Sequence, residues 1–233
     1  MNLTGPPPAW PIYKYQPITT ITLSNLSKRK LWASPPSAFN DPFEFRLQRT
    51  NSPMGLDQLR LENPHLSHLN DEALVERAIA AYEQEIAKWG IVCFSQRADD
   101  IMMWSHYADH HRGMCLGFSH MEKTPIKDAV YPVEYTDDYP ALRFDQIWHG
   151  EGLARVLHAK YSGWKYECEL RRITKDRTGL QDYPGHLSSV NFGLRTSDAD
   201  QDLVRKVVST DDTVEFLKIS LDPVQYKLNM VPA

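Results

Sequence analysis

The chain has 233 residues, of which 42% are hydrophobic, and a formal net charge of −4 at pH 7. This composition is typical of a globular protein, and the small negative charge argues against a protein that coats nucleic acid by bulk charge. No apolar run approaches the roughly 18 residues of a membrane span, and the opening MNLTGPPPAWP lacks the basic and apolar regions of a signal peptide. We therefore expect a cytoplasmic protein with no membrane partner.

Cysteine usage agrees with that expectation. The chain has three cysteines, Cys93, Cys115 and Cys168, which are scattered and form no CxxC pair. An odd, dispersed set of this kind predicts no disulfide framework and fits a reducing compartment.

The first half of the chain predicts short elements in irregular order. Residues 1–10 are proline-rich and are expected to be loose, and one domain is expected to span residues 11–233. The segment 18–27 fits a helix or a strand. Helices are predicted at 55–88, with Asn70 or Asp71 as a cap, and at about 100–112. Strands are predicted at 12–16, 31–33 and 90–95.

The second half continues the same irregular alternation. Helices are predicted at 150–160 and 199–209. Predicted strands lie at 114–118, 130–135, 164–173 and 214–220. The short strands and helices do not alternate in a regular βαβ order. This irregular order indicates an α+β fold rather than a doubly wound sheet.

Residues 164–170 read WKYECEL, in which apolar and charged residues alternate. This period of two predicts a strand with one buried and one solvated face. Glu167 and Glu169 would then project from the same face, roughly 7 Å apart. Such a pair can orient a substrate and stabilise a developing cation. Taken alone, solvated ion pairs with Lys165 and Arg171 are the more frequent explanation of this pattern.

The segment 102–118, MMWSHYADHHRGMCLGF, is the second candidate. On a helix, Trp104, Tyr107 and His111 share one face, while Ser105 points away from it. Aromatic residues at this spacing more often pack in a core than bind a cofactor. His106 and His110 have the spacing of a helical metal pair, but no further ligand follows at a supporting spacing, so we predict no metal site.

Two shorter segments carry weaker signals. In PSAFNDPFEF, residues 36–45, Asn40 and Asp41 are typical of an Asx turn, and the phenylalanines are expected to anchor the core. In IYKY, residues 12–15, a lysine between tyrosines is suited to contact a phosphate, although an exposed lysine on an edge strand is the commoner case. The phosphate-loop, dinucleotide-binding and nucleophile-elbow motifs are absent from the sequence.

The order of these segments resembles one bacterial family that is labelled a domain of unknown function. The matching blocks are YKY, FNDPFE, GIVCFS, MWSHYADHHRGMCLGF, VEY and K-x3-WKYECELR, from about residue 11 to about residue 227. That family looks like an outlying branch of the ADP-ribosyltransferase superfamily, related to toxins that modify nucleic acids. The resemblance implies a single α+β domain with a split, twisted antiparallel β core, flanking helices, and NAD as substrate.

The resemblance also implies roles for individual residues. Glu169 is implied as the catalytic residue, with Glu167 as its partner in the ExE pattern. Lys14 stands where the superfamily more usually has His or Arg, and the WSHY segment looks helical where a strand is usual. The implied NAD-binding residues are Lys14, Tyr15, Asn40, Asp41, Trp104, Ser105 and Tyr107.

Three functions compete on this basis. The first is an NAD-dependent ADP-ribosyltransferase acting as a bacterial toxin or antiphage effector, with an antitoxin or immunity protein as partner. Analogy favours RNA or DNA as its acceptor, and a protein or a small molecule is an open alternative. The second is a metal-dependent nuclease or phosphodiesterase whose cation would be gathered by oxygen ligands from Asp41, Glu44, Glu167 and Glu169. The third is a non-catalytic binding module that keeps the fold as a scaffold.

Overall fold

The computed structural model describes residues 9–48, 53–120, 130–141, 150–208 and 213–233. Most of the N-terminal segment predicted to be loose therefore lies outside the described residues. The helices are α1 (Thr20–Ser27), α2 (Pro53–Glu62), α3 (Asp71–Ile86), α4 (Ile101–Tyr107), α5 (Gly150–His158) and α6 (Asp198–Val208). The strands are β1 (Ile12–Gln16), β2 (Lys30–Ala33), β3 (Trp89–Ser95), β4 (Met114–Ser119), β5 (Tyr131–Pro132), β6 (Glu134–Thr136), β7 (Ala159–Tyr161), β8 (Glu169–Lys175), β9 (Gly179–Asp182), β10 (His186–Phe192), β11 (Glu215–Leu221) and β12 (Leu228–Pro232).

Eight of these strands form one sheet in the order β12-β11-β10-β4-β1-β3-β8-β5. Neighbouring strands run antiparallel, apart from the parallel pair β10 and β11. Two small sheets join β2 to β9 and β6 to β7. The expected α+β class with a large, mainly antiparallel sheet is confirmed.

Helices cover both faces of the large sheet. On one face, Leu26 of α1 and Val204 of α6 pack against Phe118 and other buried side chains of the sheet. On the other face, Trp104 of α4 packs against Tyr15. A further cluster joins α2, α3 and α5 to Ile91 of the interior strand β3. Each fully buried large apolar side chain contributes about 1.5–3 kcal/mol to folding, so these clusters hold both halves of the sheet in place.

Local sequence signals set several helix starts. The Asn70 side chain accepts a hydrogen bond of 2.8 Å from the backbone N–H of Ala73, which confirms the predicted cap of α3. Asp100 accepts from the N–H groups of Met102 and Met103 and so caps the start of α4. None of the helices in the described part of the chain is long and apolar enough to cross a membrane.

The predicted strand at 164–173 is wrong in its first half. Residues Ser162–Glu167 form a 3-10 helix, Cys168 takes a left-handed φ of 45°, and the strand begins at Glu169. The reason is tertiary: the Ser95 hydroxyl donates to the Glu167 carbonyl at 2.6 Å, and the Trp164 indole donates to Asp41 at 2.7 Å. These contacts fix a turn where the alternating pattern favoured an extended chain.

The predicted helix at about 100–112 ends earlier, at Tyr107. Asp109, His110 and His111 all have positive φ angles, between 46° and 69°. The Gly113 N–H bonds to the Ala108 carbonyl at 2.8 Å, and the His111 carbonyl accepts from the N–H of Arg195 at 2.9 Å. The segment after α4 is therefore a turn that packs on the residues following β10, and His106 and His110 do not form a helical i,i+4 pair.

Three other predictions need adjustment. The single strand expected at 130–135 is two short strands, β5 and β6, which belong to different sheets. The helix expected at 150–160 ends at His158, and β7 follows it directly. The strands β9, β10 and β12 were not predicted. The ambiguous segment 18–27 is the helix α1.

Candidate functional site

The large sheet is weakly joined in its middle. Strand β1 pairs with β4 through all five of its residues but meets β3 at one position, Tyr13 opposite Ser95. Strand β3 in turn pairs with β8 along its whole length, from Trp89 to Ser95. Because β1 and β3 separate after that one contact, side chains from both can line a common space. We call this space the sheet-gap cavity; it measures about 370 Å³.

The sheet-gap cavity brings together most of the residues that the sequence singled out. Its walls include Lys14 and Tyr15 from β1, and Glu169 from the start of β8. Glu167 lies beside Glu169 in the lining, and Asn40 and Tyr107 join them from distant parts of the sequence. Six of the nine implied site residues therefore meet in one cavity.

Three implied residues lie elsewhere. Trp104 is completely buried, and its indole donates to the Ala98 carbonyl at 2.8 Å, so it packs in the core and cannot stack on a ligand. The Ser105 hydroxyl donates to the Ile101 carbonyl at 3.0 Å and lies 3.1 Å from His111 Nε2, outside the cavity lining. Asp41 accepts from the Phe43 N–H at 2.8 Å in the predicted Asx turn and binds Trp164, so it acts as a brace.

The two glutamates are buried rather than solvated, because Lys160 lies between them. Its ammonium is 2.8 Å from Glu169 Oε2 and also donates to Glu167 Oε2. Glu44 Oε1 lies 3.5 Å from the same ammonium. The side chains of all four are at most 5% exposed. The prediction of a wet strand face is therefore wrong.

Arg171 is the second cation that forms an ion pair with Glu169. Its Nε donates to Glu169 Oε1 at 2.7 Å, and its Nη1 donates to the Leu157 carbonyl at 2.8 Å. Its Nη2 also donates to Glu44. Three carboxylates and two cations thus form one buried network, and the removal of either cation would leave buried carboxylates without a counter-charge.

The network lowers the pKa of one of its carboxyl groups, while another has a raised pKa. Burial by itself would raise the pKa of the Glu169 carboxyl, but the charges of Arg171 and Lys160 outweigh it and lower that pKa to about 2. For Glu44, burial outweighs the same two cations and raises the pKa. Glu169 is therefore ionised at neutral pH.

Two tyrosine hydroxyl groups also form hydrogen bonds with the glutamates. The Tyr107 hydroxyl donates to Glu167 Oε1 at 2.6 Å, and burial raises the pKa of Tyr107 so that it stays protonated. The Tyr135 hydroxyl accepts from the Glu169 N–H at 2.8 Å. Tyr135 belongs to the VEY block noted in the sequence. Before any ligand binds, Tyr107 therefore restricts the carboxylate of Glu167, and Tyr135 restricts the backbone of Glu169.

The role of Lys160 was missed from the sequence, while Arg171 was expected in a solvated ion pair and Glu44 among the ligands of a metal ion. Lys160 is the first residue of the K-x3-WKYECELR block, and Arg171 is its last, so both residues were visible in the motif. Glu44 likewise ends FNDPFE. The available signal was the joint occurrence of three acidic and two basic residues in blocks that the resemblance grouped together.

A second cavity adjoins the first. We call it the aromatic cleft; it measures about 840 Å³ and shares Asn40, Glu44, His106 and Lys160 with the sheet-gap cavity. Asp41 lies in its lining, with the indole that it binds. Phe43 is 62% exposed there, so its predicted role as a core anchor is wrong, whereas Phe45 is buried as expected.

The three cysteines, Cys93, Cys115 and Cys168, are all free thiols. Cys93 lines the sheet-gap cavity, and burial, followed by the Glu169 charge, raises its pKa. A thiol whose pKa is raised in this way is a poor nucleophile at neutral pH. Cys93 therefore serves as a wall of the cavity.

The geometry also bears on metal binding. Lys160 occupies the space between the carboxylates where a divalent cation would have to bind. Across residues 9–48, 53–120, 130–141, 150–208 and 213–233, no group of three or more His, Cys, Asp or Glu side chains is placed to hold a metal ion.

His158 gives a pH-dependent prediction. Its ring lies beside Arg171 and donates from Nδ1 to the Ala154 carbonyl at 2.9 Å, and burial lowers its pKa from 6.5 to about 4. As the pH falls, the imidazole of His158 therefore binds a proton at a higher pH in the unfolded chain than in the folded chain. The stability that the neutral ring contributes is complete above pH 6.5 and is lost as the pH falls through 4.

We expect this one group to remove about 3 kcal/mol of unfolding free energy between pH 7 and pH 4. His158→Leu should flatten the pH dependence over that interval, as measured by urea unfolding at several pH values. His65→Leu, at an exposed position, is the matched control and should leave the dependence unchanged. Equal pH profiles for the wild type and His158→Leu would contradict the prediction.

Comparison with known proteins gives one match. A family model described as "Protein of unknown function (DUF2971)" matches residues 103–172. The matched segment contains Tyr107, Lys160, Glu167, Glu169 and Arg171, whereas Lys14 and Glu44 lie outside it. Searches of curated proteins and of solved structures found no match to the chain. Over residues 103–172 the chain is therefore similar to this family of unknown function, which supports the resemblance to a domain of unknown function over that segment alone.

Proposed function

We propose that the protein is an NAD-dependent ADP-ribosyltransferase whose reaction takes place in the sheet-gap cavity. The observation that supports this most directly is the meeting of Lys14 and Glu169 across the separation of β1 and β3. The cavity volume of about 370 Å³ lies within the usual range for ligand sites. The weak junction between β1 and β3 also fits the split β core that the resemblance implies.

Glu169 is proposed as the catalytic carboxylate. When nicotinamide leaves NAD, the bond between its ring nitrogen and the ribose breaks, and positive charge develops on the ribosyl group. An ionised carboxylate beside that charge stabilises the transition state more than the ground state. The pKa of Glu169, lowered to about 2, keeps it ionised for this purpose.

Glu167 is proposed as the general base. It would take the proton from the acceptor group as that group forms its new bond to the ribosyl carbon. Both of its carboxylate oxygens have partners in this structure, Tyr107 and Lys160. The proposal therefore requires one of these partners to yield to the acceptor when it binds.

Lys14 is proposed to bind the pyrophosphate of NAD. It lies on β1 in the wall of the cavity, at a half-buried position. Its place on a strand that the sheet holds on both sides makes it a fixed charge rather than a mobile surface group. An ammonium at this point would attract the anionic part of the substrate and leave Glu169 to act at the ribose.

A binding module on the same fold is the second candidate. Its specific support is that both glutamates already have partners, Lys160 and Tyr107 for Glu167 and Lys160 and Arg171 for Glu169. Such a network can serve to hold the domain together. In that case Glu169 would have no role beyond folding.

The test of the proposed function is the release of nicotinamide from NAD by the purified protein. The assay should run alone and with RNA, DNA or cell protein as acceptor. We expect release that rises with one class of acceptor and identifies it. A folded protein that releases no nicotinamide under any of these conditions and does not bind NAD would contradict the proposal.

Lys14→Met should weaken NAD binding by about tenfold, since it removes one charge-assisted contact to phosphate while keeping the length of the side chain. Isothermal titration with NAD measures the effect. Lys28→Met, at an exposed position after α1, is the matched control and should bind NAD like the wild type. If the two variants bound NAD with equal affinity, Lys14 would not be part of the NAD site.

A further inference from the structure

The aromatic cleft has features that the proposed transfer reaction does not use. Several large aromatic side chains stay exposed in its walls: Phe43 is 62% exposed, Tyr161 56% and Tyr139 40%. Aromatic residues are usually buried where they can be, and a concave group of exposed rings is typical of a ligand site. This cleft is therefore a second candidate site, beside the sheet-gap cavity.

The rings at the inner end of the cleft are grouped closely. The ring centroids of Trp164 and Tyr166 lie 6.0 Å apart, and His106 lies 6.4 Å and 6.2 Å from them. The Lys160 ammonium is 5.4 Å from the centroid of the Trp164 ring. The electron-rich face of this indole thus already attracts one cation, as expected for aromatic rings in a polar cavity.

The charges around the cleft are mainly negative. Its lining contains four carboxylates against two cations, Arg46 and Lys160. Lys160 is paired with Glu167 and Glu169, and Glu44 is paired with Arg171, so the charge of the lining is set by its three aspartates against Arg46. The carboxylates of the lining are Asp41, Glu44, Asp137 and Asp138. A polyanion such as a nucleic acid backbone would be repelled by this surface, whereas a positive group would be attracted.

We propose that the aromatic cleft binds an organic cation, with an alkylated ammonium group enclosed by the aromatic rings and paired with Asp138. Aromatic faces and carboxylates together favour such a group, because it is positive and yet has little hydration to lose. The Asp138 side chain is exposed at the cleft, whereas Asp137 accepts a hydrogen bond from Ser162. The proposal does not depend on NAD or on the transfer reaction.

Choline and its neutral carbon isostere, in which carbon replaces the nitrogen, form a matched pair of probes. Isothermal titration without NAD should show binding of choline, and at least about tenfold weaker binding of the isostere, because only choline carries the charge. Equal binding of the two probes, or no binding of choline to the folded protein, would overturn the proposal.

The double variant Tyr161→Ala/Asp138→Asn should weaken choline binding by about tenfold, since each contact contributes about two- to fivefold. Both positions are exposed, so the variant is expected to fold. Tyr226→Ala/Asp202→Asn changes an exposed tyrosine and an exposed aspartate away from the cleft, and it should bind choline like the wild type. Equal losses in the two double variants would place choline elsewhere and overturn the proposal.

Discussion

Replacing Glu169 with Gln should reduce the rate of nicotinamide release from NAD by about 10²- to 10³-fold. This is the usual effect of removing one preorganised group that stabilises charge in a transition state. The neutral amide keeps the size of the side chain but cannot balance the positive ribosyl group. The measurement is the release rate under saturating NAD, with circular dichroism to establish that the variant is folded.

Two further variants separate catalysis from folding. Glu85→Gln removes a carboxylate that also binds two cations, Lys88 at 2.6 Å and Lys175 at 2.5 Å, but lies outside both cavities. It should release nicotinamide at the wild-type rate. Glu169→Asp keeps the negative charge that pairs with Lys160 and Arg171, but its shorter side chain moves the carboxylate away from the reacting ribose. This variant should therefore fold and yet lose activity. Full activity in either Glu169 variant would exclude a catalytic role.

Replacing Arg171 with Met should lower the free energy of unfolding by about 3–5 kcal/mol, the usual cost of removing one partner from a buried ion pair. Arg171 is completely buried, and its loss would leave Glu44 and Glu169 facing Lys160 alone. The Leu157 carbonyl would also lose its donor. Urea unfolding at pH 7 measures the difference.

Arg112→Met is the control for this prediction. Arg112 donates two hydrogen bonds of 3.0 Å to Asp109, but both side chains are about half exposed. Exposed ion pairs contribute little to stability because solvent screens them, so this variant should unfold almost like the wild type. If Arg171→Met were no less stable than Arg112→Met, the buried network would have no structural importance.

Much of the fold could be predicted from local patterns. The helix α3 follows from its apolar spacing and the Asn70 cap, and β1, β3 and β4 follow from apolar runs bounded by turn residues. The α+β class follows from the irregular order of these elements. Strands β9, β10 and β12 were missed because their residues are largely polar or partly exposed, which hides the strand period.

The sequence identified most of the residues that line the site, but it did not show how they are arranged. The motif blocks contain Lys14, Tyr107, Glu167 and Glu169, which do meet in one cavity. The burial of Glu167 and Glu169 was not predictable, because their counter-charges come from Arg171 and from Lys160, which lies on β7 in a separate small sheet. The pattern of WKYECEL favoured a strand, while contacts from distant residues, Ser95 and Asp41, impose a turn.

The most direct test of the central claim is a titration of the isotopically labelled protein with NAD, followed by amide NMR spectra. The proposed function requires NAD to bind between β1 and β8. The largest shifts should then fall on Lys14, Tyr15 and Glu169, with Tyr107 beside them, and should be absent from β11 and β12. An unchanged spectrum at millimolar NAD, or shifts confined to other parts of the chain, would show that the sheet-gap cavity is not an NAD site.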